Sequence, residues 1–127
     1  MKLDQTAKYL RTHEWIRKDG EEYTCGISDH AQKALGDIVY IDLPAGGKHY
    51  KKGTAFGVME SVKAASDVYM PMSGTIVASN RELESHPDWV NKDCYGTGWL
   101  IRFTADDPSE WDGLLQPNEY GAAVDRD

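Results

Sequence analysis

Glycine and proline interrupt this chain before any strand-forming run grows long, and that punctuation limits the available folds more than any other feature. The runs between the breaks, Glu14 to Lys18, Glu22 to Ile27, Asp37 to Leu43 and Thr54 to Ser61, carry the aromatic and β-branched residues that suit a pleated surface. After Lys63 come Asp67 to Met70, a break at Pro71 and Ser73-Gly74, and then Thr75 to Ser79, with a last strand at Gly98 to Thr104. Gly46-Gly47 and Lys52-Gly53 mark turns around Lys48 to Lys51, which read as loops. Many short strands with regular breaks predict a small, mainly β sandwich or barrel.

Helical signals are brief. Asp29 can cap a helix with Gln32 at its third position, Ala31, Ala34 and Leu35 fall on one face, and Gly36 ends it with a positive φ. Arg81 to His86 forms a second short helix. Asp107 as cap, Pro108 at the first helical position and Glu110 at the third open a helical C-terminus, residues 107–123, whose apolar face is Trp111, Leu114 and Leu115. That helix is expected to close one end of the sandwich. At 127 residues the chain is long enough for one core and too short for two, so a single domain over 1–127 is expected.

Lys and Arg number 14 against 21 Asp and Glu, and a net charge of −7 repels phosphate, which argues against nucleic acid and acidic membranes as partners. No apolar run approaches the ~20 residues that span a bilayer. The start, Met1-Lys2-Leu3-Asp4-Gln5, lacks the apolar stretch of a signal peptide, so a cytoplasmic location is expected. Cys25 and Cys94 stand apart and read as two reduced thiols, while His13, His30, His49 and His86 are scattered and support no metal site. Gly96-Thr97-Gly98 lacks the third glycine and following helix of a dinucleotide loop, and Ser73 has no base beside it for hydrolase chemistry. Trp15, Trp89, Trp99 and Trp111 read as core residues.

Between residues 53 and 74, Lys63 is the only positive charge, and it lies between two strand-like runs. If those runs pair as a hairpin, Lys63 sits at the turn with its amine clear of the body, unguarded by Ala64 and Ala65. No Asn-Gly or Asp-Gly marks that turn, and read alone Lys63 is equally a solvated surface lysine.

From Tyr9 to Tyr120 the sequence resembles the glycine cleavage H-protein family. The matching blocks are Thr12-His13-Glu14-Trp15, Gly26-Ile27-Ser28-Asp29-His30-Ala31-Gln32, Leu35-Gly36-Asp37-Ile38-Val39-Tyr40, Glu60-Ser61-Val62-Lys63-Ala64-Ala65-Ser66-Asp67, and Val90-Asn91 with Tyr95-Gly96-Thr97-Gly98-Trp99-Leu100. Related biotin carriers flank their lysine with methionines. Here Val62 and Ala64 flank it, which favours lipoate.

The resemblance implies a flattened, barrel-like sandwich of the lipoyl/biotinyl carrier type, with a lipoyl-binding region at about 22–104 and lipoic acid covalently attached to Lys63. It implies a non-catalytic carrier that takes the aminomethyl group of glycine from glycine decarboxylase, a pyridoxal-phosphate enzyme, to the folate-dependent aminomethyltransferase. Electrons then pass to dihydrolipoyl dehydrogenase. It also implies a cleft that docks the loaded arm, with Glu14 and Asp67 holding the aminomethyl cation, Thr12 as polar neighbour and Leu35 as apolar wall. Glu60 would contribute to what the lipoyl-attaching enzyme reads. A monomer is expected. Cys94 departs from the family, which usually has proline there, and its thiol is expected to be inert. Two rival functions are an H-like lipoyl carrier or lipoyl/octanoyl relay serving other acceptors, and a free-standing enzyme using Lys63 as a nucleophile. A catalytic lysine is normally desolvated, which fits this exposed turn poorly.

Overall fold

The computed structural model describes residues 1–126, so the expected end of the domain at Asp127 lies outside them. Six strands form one antiparallel sheet in the order β1 (Lys8–Tyr9), β2 (Glu14–Asp19), β3 (Glu22–Ile27), β9 (Ile101–Ala105), β8 (Gly74–Ser79) and β5 (His49–Tyr50). Three more, β4 (Ile38–Asp42), β6 (Ala55–Ser61) and β7 (Ala65–Tyr69), form a second sheet with β6 in the middle. Between β3 and β4 lies α1 (Asp29–Leu35), and α2 (Trp89–Lys92) and α3 (Pro117–Asp125) follow β8 and β9. Two 3-10 turns occupy Arg81–Glu84 and Pro108–Gly113.

The sheets face each other across one apolar core. On the large sheet, alternation aims Tyr23, Cys25, Ile101 and Phe103 inward while Arg102 and Thr104 face water. On the small sheet the inward residues are three apart, Ile38 with Ile41 and Phe56 with Met59. The ladder slips between Ile38 and Tyr40 and again between Ala55 and Gly57, and each extra residue resets which side chains face the core. The first half of β2, Glu14 to Ile16, is buried on both faces. Ile16 joins the core between the sheets, while Trp15 enters a second cluster with Ala7, Tyr9 and Tyr120 beneath α3.

The expected mainly β sandwich is therefore present, with differences that have physical causes. Ser28, not Asp29, caps α1, its Oγ accepting from the Ala31 amide at 3.2 Å. Asp29 instead lies buried and accepts from the Lys2 amide and the Gln32 side chain. His49 and Tyr50, expected as loop, pair with Thr75 and Gly74. The last strand starts at Ile101 rather than Gly98, since the Trp99 amide closes a turn onto the Gly96 carbonyl at 3.1 Å.

The C-terminal helix is split. Pro117 disfavours helical backbone at Gln116, and Leu115 exchanges backbone hydrogen bonds with Tyr9, both at 2.9 Å. Trp111 and Leu114 consequently pack on the main core and Leu115 on the second cluster, instead of sharing one helical face. Glu110 does not complete a capping box, because its carboxylate accepts from the Ser73 amide at 3.0 Å. No helix among the described residues is long and apolar enough to cross a membrane.

Candidate functional site

Lys63 stands at the tip of the β6–β7 hairpin and is exposed. The turn that the absence of Asn-Gly left unexplained is built by Ser61. Its hydroxyl accepts from the Lys63 amide at 3.3 Å and the Ala64 amide at 3.1 Å, and its own amide donates to the Ala64 carbonyl at 2.7 Å. The Val62 amide donates to the Asp37 carbonyl at 3.0 Å, which ties the tip to the corner between α1 and β4.

Asn91 braces that corner. It accepts from the Ile38 amide at 2.9 Å and donates to the Gly36 carbonyl at 2.8 Å and the Gln32 side chain at 3.1 Å. The stem of Lys63 crosses Gly36 so closely that a Cβ there would lie 3.4 Å from Cε, and Gly36 holds φ +80°. Glycine thus serves twice at this position, ending α1 and leaving room for the lysine. Neither Lys63 nor the exposed Glu60 makes an ion pair among the described residues.

Thr12, Glu14, Leu35 and Asp67, nominated from three separate stretches, line a single cleft of about 200 Å³ between α1 and the β7 edge. Ile27 and Met59 form part of its apolar wall. Asp67 is exposed, but Glu14 is no surface carboxylate, with 1% of its area accessible. Its oxygens accept from the Thr12 hydroxyl and, at 2.8 Å, from the Tyr69 amide. Burial pushes its carboxyl up from an ordinary 4.5 to about 7, with those two hydrogen bonds opposing the rise. Near neutrality this group is poised between its neutral and charged forms.

His13 and His30, which read as scattered, both line this cleft, with ring centroids 4.7 Å apart. His13 is the one non-glycine residue among those described with a positive φ, +83°, and it stands between the two cleft residues Thr12 and Glu14. Its Nδ1 is 2.7 Å from the Tyr120 hydroxyl, which is 2.7 Å from the Ser28 hydroxyl that caps α1. One tyrosine on α3 thereby joins both walls of the cleft. Nothing in the sequence marked Tyr120 or His13 for this, because the link spans 107 residues.

The elevated Glu14 carboxyl makes stability depend on pH. An unfolded chain ionises Glu14 near pH 4.5 while the folded chain resists until about pH 7, so its contribution falls as pH rises through that window and is lowest above it. Glu14→Gln keeps an acceptor for the Tyr69 amide and should remove a penalty on the order of 3 kcal/mol at pH 8, and little at pH 4. Urea unfolding at the two pH values measures this difference. A pH-independent effect would contradict the assignment.

The model of the family described as glycine cleavage H-protein matches residues 7–127. A glycine cleavage system H protein of Idiomarina loihiensis is 53% identical over 121 residues, covering 94% of each chain. One from Acinetobacter baylyi is 48% identical over 117 residues, covering 92% of this chain and 94% of its own. The crystal structure of a glycine cleavage system H protein from Mycobacterium marinum superposes with a TM-score of 0.89 at 32% identity, covering 97% of this chain and 99% of that one.

Proposed function

Because the chain belongs to the glycine cleavage H-protein family, we propose that it is a lipoyl carrier, amide-linked to lipoic acid at Lys63. In this reading it moves the aminomethyl group of glycine from the decarboxylase to the aminomethyltransferase, and electrons to dihydrolipoyl dehydrogenase. It works in the cytoplasm as a monomer and is itself no catalyst. The lipoyl group, when attached, supplies a disulfide that accepts and releases the aminomethyl fragment.

The residues present fit that group. The observation that carries the reading is an exposed lysine on a rigid hairpin tip beside a cleft whose wall holds a buried carboxylate. Ser61 and the Val62–Asp37 tie fix where the arm starts, and Gly36 leaves its stem unobstructed. Exposed Glu60, three residues before Lys63, is available to the attaching enzyme.

The cleft binds a cationic cargo by charge that responds to the cargo. An aminomethyl cation favours the ionised form of Glu14, adding a carboxylate to that of Asp67 only when there is something to hold. Thr12 and the Tyr69 amide hold the Glu14 oxygens in place, and Leu35 covers the apolar part of the arm. The lifetime of the loaded protein should therefore lengthen as pH rises through about 7. In Glu14→Gln it should be shorter and lack that dependence, as followed by the decay of the loaded mass.

The test of the function is to lipoylate the chain with a lipoyl-attaching enzyme, locate the mass increment, and incubate it with glycine, glycine decarboxylase and labelled bicarbonate. Increment on Lys63 and label in glycine are expected. Label absent despite full lipoylation would replace this reading with that of a carrier or relay for other acceptors.

A further inference from the structure

A second and larger cleft, about 490 Å³, opens beside the one that holds Glu14. Its walls are apolar, formed by Tyr9, Leu10, Tyr69, Met70 and Leu115. It is preformed, because Tyr9 and Met70 in its floor are wholly buried and fixed by main-chain bonds, Tyr9 to Leu115 and Met70 to Thr54. Its rim carries Arg11 and Lys52, both exposed and neither in an ion pair among the described residues. No carboxylate among the described residues lines it, in a chain of net charge −7.

We propose that this cleft docks an enzyme partner of the carrier through an apolar side chain flanked by carboxylates, an inference that rests on the carrier function above. The volume accommodates more than one apolar side chain, and two unpaired cations at the rim complement a partner's acidic residues. The protein's own arm is a poor occupant. Tyr69 and Met70 lie six to seven residues from Lys63, roughly 20 Å along an extended strand. The arm has about eleven bonds from Cα to its ring and extends roughly 14 Å. Its aminomethyl cargo would also be repelled by Arg11 and Lys52.

Thr12 gives the docking a consequence, because it lines both clefts and its hydroxyl donates to Glu14. An occupant of the large cleft contacts the residue that holds the cargo carboxylate in place.

The experiment measures the dissociation constant of the full chain for glycine decarboxylase, aminomethyltransferase and dihydrolipoyl dehydrogenase separately, at low and physiological salt. Arg11→Glu/Lys52→Glu reverses the rim. Gly113→Trp plugs the cleft without changing charge, since Gly113 lines it and a side chain there meets open space. Lys18→Glu/Arg126→Glu controls for net charge. Both cleft variants are expected to weaken at least one partner tenfold or more, with the control within threefold and a steeper salt dependence for wild type than for the reversed rim. Cleft variants within threefold of wild type for all three partners overturn the proposal. So does sedimentation showing that the cleft variants abolish self-association instead, which would make a second copy the occupant. A wild-type chain that binds none of the three overturns the proposed function as well, and so is told apart from failure of the docking alone.

Discussion

Lys63→Arg is expected to reduce both the lipoyl mass increment and the exchange of labelled bicarbonate into glycine to background, while the fold is untouched. Arginine keeps the positive charge and length, but its guanidinium stays protonated under all working conditions and offers no amine to acylate. Because Lys63 is exposed and makes no ion pair among the described residues, the substitution should shift stability by no more than about 0.5 kcal/mol. Lost exchange with unchanged urea unfolding therefore isolates attachment from folding. Exchange that persists in Lys63→Arg would place the carrier chemistry elsewhere.

The largest effect on stability is expected at Trp15. Its side chain is wholly buried between the large sheet and α3, its Nε1 donates to the Cys94 carbonyl at 2.9 Å, and its face carries the Arg17 guanidinium at 4.3 Å. Gly26, opposite it on β3, lies so close that a Cβ there would come within 2.7 Å of the indole. Trp15→Ala opens a cavity and orphans a buried carbonyl, a loss of about 3–5 kcal/mol. That is a large fraction of the ~5–15 kcal/mol typical of a domain. Trp15→Phe should lose less, since it fills most of the space and gives up the hydrogen bond. A Trp15→Ala cost below about 1 kcal/mol in urea would show that the second cluster does not support the sheet.

The strands that sequence reading located best are those whose alternation is clean and whose ends are marked, such as Glu22–Ile27, which is placed to the residue. It failed where the deciding partner is remote. The pairing of His49–Tyr50 depends on β8, and the break at Leu115 depends on Tyr9, more than a hundred residues away. Asp29 looked like a cap because caps favour short polar side chains, but Ser28 offers the same chemistry one residue earlier and leaves Asp29 free to bind Lys2.

At the site, the family motifs nominated Thr12, Glu14, Leu35 and Asp67, which line one cleft, yet burial of Glu14 and its elevated carboxyl emerge only from packing. Ser61 and Asn91 lay within matched blocks, and their roles became visible only as hydrogen bonds to the hairpin tip and its corner.

Both cysteines are buried. Desolvation raises Cys25 well above an ordinary thiol and pushes Cys94 up to about 12. Thiolates are the species that attack disulfides. For a protein proposed to carry a disulfide on a mobile arm, any scaffold thiolate within the arm's sweep would attack that disulfide, joining one arm sulfur in a mixed disulfide and releasing the other as a thiolate, and so take the oxidised arm out of service. Burying both thiols keeps them protonated and insulates the oxidised arm from its own scaffold, so that its disulfide is opened by an enzyme's chemistry and not by the protein that carries it.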